Sequence, residues 1–208
     1  MVGNNSASVV SDAILKGITP EEDVAALYEA MLSGREKVHP EVSSTGRLGH
    51  EYYNTLGYVP YDVKINENVA RTLEYAYDDW TIARMAEALG RDGTAEAYYR
   101  RALNYVNVFD GSTRFFRGRR SDGGWTTPFE EFATGRDYTE ATPWHYRFFA
   151  PHDVNGLEQL FGGREAFVRE LDRLFTLTSD EMRLDVADVT GLMGQYAHGN
   201  EPSHHMAY

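Results

Sequence analysis

The residues best suited to chemistry crowd together near the end of the chain, in the run His198-Gly199-Asn200-Glu201-Pro202-Ser203-His204-His205. An acid, an amide and several imidazoles share one loop broken by Pro202. Two imidazoles with a carboxylate would suit zinc, but the spacing lacks the one-turn separation of a helical His-Glu-x-x-His site. The amide oxygen of Asn200 beside the carboxylate of Glu201 suits a hard cation such as calcium, which takes oxygen ligands. The plainer alternative is a polar turn with incidental histidines; so many functional groups on one loop weigh against it. Spacing alone leaves the metal open. A polar cluster followed only by Met206-Ala207-Tyr208 leads us to expect a piece of a longer protein.

Three further clusters bear weighing. Asp137-Tyr138-Thr139-Glu140 leads into Trp144-His145-Tyr146. An acid among aromatic rings is desolvated, which keeps it protonated toward neutral pH and able to donate a proton. The structural alternative makes Thr139 and Glu140 a helix start, with the acid favoured by the helix dipole, and taken alone it is the better reading. In Pro151-His152-Asp153-Val154 an acid and an imidazole are neighbours, but a helix cap by Asp153 with a hydrogen-bonded core His152 is favoured over a relay. Lastly, Glu74 and Asp78 stand one helical turn apart, with Asp79 and Trp80 following. Like charges at that spacing repel unless a cation or donor intervenes, so a solvated acidic face is expected, with a pocket lining as the sharper alternative.

The elements that must position these groups are mostly helical. Apolar residues at helical spacing mark Ser6 to Lys16, a second helix opened by Thr19-Pro20-Glu21-Glu22 and closed at Gly34, and a long one from Asn66 to Gly90. Another opens at Thr94, and two more cover Val154 to Phe161 and Arg164 to Phe175. Arg35 to Asp62 reads as a long decorated loop, and Thr190 to Tyr208 as another. Between Asp110 and Tyr138, glycines and Pro128 punctuate short aromatic segments, which predicts a hairpin-like excursion. About six helices joined by short turns and long loops suggest an all-α array of helical hairpins, with no linker dividing it.

Composition narrows the partners. A net charge of -12 argues against nucleic acid, whose binders concentrate Lys and Arg. The one basic run, Arg114 to Arg120, is read as a strand-and-turn edge whose cations pair with nearby acids. No apolar run is long enough to span a membrane. With no cysteine there is no disulfide framework and no thiolate chemistry. Val2-Gly3-Asn4-Asn5 after Met1 shows no signal peptide, and the oligomeric state is left open.

In these residues the chain resembles glycoside hydrolase family 92, the calcium-dependent exo-acting alpha-mannosidases. The resemblance begins at Gly3-Asn4-Asn5 and Ala13 to Gly17, then runs through Gly57-Tyr58-Val59-Pro60 and the segment Arg71 to Trp80. It continues through Phe116-Arg117-Gly118, Asp137 to Glu140, Trp144-His145-Tyr146 and Pro151 to Val154, and ends on the specific block Gly194 to His205. What it implies is a partial alpha-alpha toroid over residues 1–208, from an enzyme whose N-terminal beta-sandwich and remaining toroid helices lie outside this chain. It implies removal of terminal alpha-linked mannose from glycans with inversion. Glu140 would then protonate the leaving oxygen. Asn200 and Glu201 would lie near the calcium, and Trp144, His204, His205 and Asp79 would contact substrate. Ala141-Thr142-Pro143 departs from the Gly-Asn-Ala type of segment expected after the acid. The family's base belongs to a later acidic segment, so the 208-residue chain alone is expected to be inactive. Family habit implies a secreted or periplasmic location. The rival readings are a non-catalytic carbohydrate-binding toroid fragment and a toroidal glycosidase that uses no metal.

Overall fold

The structure, a computed structural model, describes residues 2–42, 46–178 and 189–208. Among these, eight α-helices and two short β-hairpins are formed, so the all-α expectation holds. The chain divides into two compact units, one of Met1–Val59 with Arg71–Asn107 and one of Pro60–Ala70 with Val108–Tyr208.

The first unit contains α1 (Ser6–Leu15), α2 (Glu21–Gly34), α3 (His50–Leu56), most of α4 (Asn68–Ala88) and α5 (Asp92–Ala102). Glu21, Glu22 and Asp23 occupy the first turn of α2, where the positive end of the dipole favours acids. Its core packs Ala7, Tyr28 and Met31 against Ile82, Ala83, Met85 and Ala86 of α4 and Ala95 and Tyr98 of α5. The α3 helix overturns the reading of Arg35 to Asp62 as loop throughout; residues 43–45 of that stretch lie outside the described residues. Its seven residues, bounded by Gly49 and Gly57 in left-handed conformation, bury only Tyr53, too little periodicity to register in sequence.

The acidic residues of α4 also depart from expectation. Asp78 and Asp79 are fully buried, not solvated. The cation that the repulsion called for comes from outside the helix. Arg47, itself fully buried, donates to Asp79 at 2.5 Å and lies 3.9 Å from Asp78. Asp79 also accepts from Arg101 at 2.9 Å and from the Tyr53 hydroxyl at 3.2 Å. Burial lowers the Arg47 pKa, but Asp79 and Asp78 outweigh that effect and hold the guanidinium above its ordinary value. Burial pushes the Asp78 carboxyl up to about 7 against the pull of Arg47, and burial with the nearby Asp78 pushes Glu74 up to about 8.

The second unit holds β1 (Phe109–Asp110) and β2 (Phe115–Phe116), paired antiparallel with Phe109 opposite Phe116. It continues with α6 (Pro143–Tyr146), α7 (Val154–Leu160), α8 (Arg164–Thr176) and a second hairpin of β3 (Leu192–Met193) and β4 (Tyr196–Ala197). A 3-10 turn, Glu201–Ala207, closes it. The hairpin excursion is found where expected, and its basic run does pair with acids: Arg117 with Asp110 at 2.7 Å and Arg114 with Glu170 at 3.8 Å. Asp153 caps α7, accepting from the Gly156 N–H at 2.9 Å. The β3–β4 hairpin was not legible, because two-residue strands carry no alternation to read. Its turn depends on Gly194, which has φ +60 and sits where a Cβ would meet the Phe175 carbonyl carbon at 2.5 Å.

Candidate active site

The polar loop is built from its backbone upward. The β3–β4 hairpin brings the chain to Asn200, whose N–H donates to the Ala197 carbonyl and whose carbonyl accepts from Ser203, both at 3.3 Å. Pro202 stands at the start of the 3-10 turn that follows, where its missing donor costs nothing. This fixes Asn200 in a buried position while Glu201 stays exposed.

From there the Asn200 amide Nδ2 donates to the Glu140 carbonyl at 2.7 Å. The two sequence clusters, sixty positions apart, are therefore brought together within the second unit. His205 reaches the same region: its Nε2 lies 3.0 Å from the Phe148 carbonyl, just beyond α6, and its ring packs edge-on against Phe149. Burial lowers its pKa. His204 is exposed, with Nε2 2.9 Å from the His198 carbonyl, and His198 Nδ1 lies 2.9 Å from the Tyr196 hydroxyl.

The segment carrying Glu140 is anchored on its other side by Asp137. Asn68 Nδ2 donates to the Asp137 carboxylate at 2.7 Å, and the Asp137 carbonyl accepts from the N–H groups of Val69 and Ala70. Burial raises the Asp137 pKa, with the Asn68 hydrogen bond opposing it. Sequence reading gave Asp137 no role of its own; a lone acid preceding an aromatic residue carries no signal for so distant a partner.

Glu140 itself corrects two expectations. Its side chain is exposed, so the desolvation anticipated for it falls on its neighbours Tyr138, Ala141 and Thr142. It also does not start a helix. The N-cap of α6 is Thr142, followed by Pro143, and the Thr142 N–H donates to His145 Nδ1 at 3.1 Å. Glu140 instead adopts φ +53, a left-handed backbone that few non-glycine residues enter.

Trp144 is fully buried. Phe115 meets it edge-on at 5.2 Å, Phe132 stacks at 6.5 Å, and the Arg147 guanidinium lies 4.4 Å from its ring. That environment is core packing and leaves no open ring face for a sugar, contrary to the substrate-contact role given to it. Asp79 likewise is sealed within its ion pairs in the first unit and presents no accessible oxygen to a ligand.

His145 supplies a measurable consequence. Burial pushes it down to about 4, with the Gln195 backbone opposing. A folded-state value below the unfolded 6.5 means that the unfolded chain binds more protons in between. This contribution to stability is therefore present above pH 6.5 and is lost as the pH falls toward 4. Imidazole NMR titration is expected to show His145 still neutral at about pH 5.5, and a midpoint near 6.5 would contradict the packing described.

The catalytic-domain profile of glycosyl hydrolase family 92 matches residues 1–208. The chain belongs to glycosyl hydrolase family 92. Among curated proteins it is 30% identical over 202 residues to an uncharacterized secreted glycosidase of Arthroderma benhamiae, covering 83% of this chain and 26% of that protein. A family 92 inverting mannosidase from Bacteroides thetaiotaomicron superposes with a TM-score of 0.86 at 39% identity, over 98% of this chain and 28% of that one. A family 92 alpha-mannosidase of the same species, in complex with mannoimidazole, gives 0.88 at 36% identity over 100% of this chain and 27% of that one. The chain thus spans about a quarter of the length of these relatives. It is a segment of the family's mainly helical catalytic fold, the alpha-alpha toroid of the sequence reading.

The fit of calcium turns on Asn200. With its Nδ2 directed at the Glu140 carbonyl, Asn200 has its amide oxygen as the atom of the right kind for a cation, and the next residue, the exposed Glu201, carries a carboxylate. Those oxygens suit calcium in kind, but calcium takes about six to eight. Among the described residues no three His, Cys, Asp or Glu side chains are grouped for a metal.

Proposed function

We propose that this chain forms part of the active site of an exo-acting alpha-mannosidase that hydrolyses mannose-terminated glycans with inversion and with the help of calcium. The reading is supported chiefly by the Asn200–Glu140 contact, which ties the backbone carbonyl of Glu140, a residue whose carboxyl group is exposed, to an oxygen-rich turn. Glu140 serves as the general acid, giving its proton to the glycosidic oxygen as the bond to the anomeric carbon breaks. His204, exposed on the 3-10 turn, and the half-buried His205 of the same turn would hydrogen-bond sugar hydroxyls. Asn200 and Glu201 would hold the calcium, whose charge would bind vicinal hydroxyls and favour a distorted ring. An inverting reaction also needs a base about 6.5–9.5 Å from the acid, with water between them. We assign that base to another part of the complete protein, which we also place outside the cell by analogy with the secreted relative.

The test uses the complete protein and an alpha-mannoside. Proton NMR of the first turnovers is expected to show beta-mannose, and chelation should abolish activity that calcium then restores. Alpha-mannose as first product would overturn inversion, and indifference to chelation would remove the metal. Sugar binding without any hydrolysis would favour a carbohydrate-binding role instead.

A further inference from the structure

We propose that Asn200 is a positioning residue for Glu140, acting through the backbone of the acid. The inference rests on the reading of Glu140 as proton donor and goes beyond it, since it gives the amide nitrogen of Asn200 a task separate from any cation at its oxygen.

Two features of Glu140 make the task necessary. Its side chain is exposed, so no surrounding packing fixes the direction of the carboxyl group. That direction is instead inherited from its Cα, and the backbone there is held at φ +53, a region that a side chain with a Cβ does not hold by preference. Something outside the residue must retain it. The neighbours on either side are buried, Tyr138 and Thr139 before it and Ala141 and Thr142 after it, which fixes the ends of the segment. The carbonyl of Glu140 is the remaining handle, and Asn200 Nδ2 meets it at 2.7 Å.

Asn200 is well suited to act as that handle. It is 1% exposed, and both its backbone groups are engaged within its own turn. Its side chain is short, and burial restrains the planar amide whose Nδ2 carries the donor. The hydrogen bond is part-buried, with its donor residue out of contact with water, and a donor left without its partner there is costly. Small misplacements of a catalytic group lower rates steeply, so retention of this peptide should be read out in proton transfer.

Leaving-group dependence separates the possibilities. Protonation matters for a poor leaving group such as a sugar and little for 2,4-dinitrophenolate, which departs unaided. In the complete protein, Asn200→Asp, which keeps an oxygen for a cation but loses the donor, is expected to lower kcat roughly 30-fold on an alpha-mannosyl disaccharide, with KM within about twofold, and about threefold or less on 2,4-dinitrophenyl alpha-mannoside. Glu140→Gln should show the same dependence more strongly, and the double variant should be no worse than Glu140→Gln alone. Asn200→Ala removes the oxygen as well, and should show the same leaving-group dependence once calcium is saturating. Melting curves verify that each variant is folded, and Asn200→Asp carries the test if Asn200→Ala is not.

Equal losses on both substrates, or Asn200→Asp retaining full activity, would overturn the proposal and leave Asn200 as a ligand or sugar contact. If Glu140→Gln shows no leaving-group dependence, Glu140 is not the acid, and the proposal falls with that reading.

Discussion

Glutamine in place of Glu140 is expected to lower kcat/KM of the complete protein on an unactivated alpha-mannoside by roughly 10²–10⁴-fold. That corresponds to about 3–5 kcal/mol of lost transition-state stabilisation. Glutamine keeps the size and hydrogen-bonding shape of the side chain but has no proton of suitable acidity to give. Because Glu140 is exposed and follows the buried Tyr138 and Thr139, its replacement should leave the melting temperature nearly unchanged. Steady-state kinetics beside a thermal melt separate the two effects. A loss below about threefold on a disaccharide would remove Glu140 from the chemistry.

The largest expected stability effect lies in the first unit. Arg47→Met is expected to destabilise the fold by about 3–5 kcal/mol, because it leaves buried carboxylates without their cation. Methionine is close to arginine's stem in length, so lost packing contributes little and lost charge dominates. Asp79 would retain Arg101 and the Tyr53 hydroxyl, whereas among the described residues Asp78 would keep only its contact with the Asn4 N–H, at 3.2 Å. Asp78 already lies near 7, above its ordinary value of 3.8, so its ionised form is disfavoured in the fold. A folded-state value raised above the unfolded one makes stability fall as the pH rises between the two. Removing Arg47 should raise the Asp78 value further and extend that loss to higher pH. Denaturant unfolding at pH 5 and pH 8 checks both points: the variant should be hurt more at pH 8. A penalty under about 1 kcal/mol at both would show that the buried charges are compensated elsewhere.

Both predictions concern residues whose types were legible and whose surroundings were not. Residues on one helix face recur every three or four positions, so α1, α2, α4, α5, α7 and α8 could be read from apolar spacing, acidic first turns and glycine stops. The chemistry on offer was equally local. A carboxyl at residue 140 and an amide–carboxylate pair at 200 and 201 are properties of composition and order, and the order of the short motifs matched the family.

Tertiary packing decided what those groups face. Asp78 and Asp79 looked like a solvated stripe because nothing within a turn of α4 announces Arg47, thirty-two positions before Asp79. Trp144 looked like a platform for sugar, yet Phe115, Phe132 and Arg147 cover it. Glu140 was expected among aromatic rings and is exposed in a left-handed turn whose carbonyl is held from residue 200. Local sequence fixes backbone preference and the inventory of donors, acceptors and charges. Burial and pairing are set by whichever distant segments the packed chain brings alongside, and those contacts leave no period in the sequence to read.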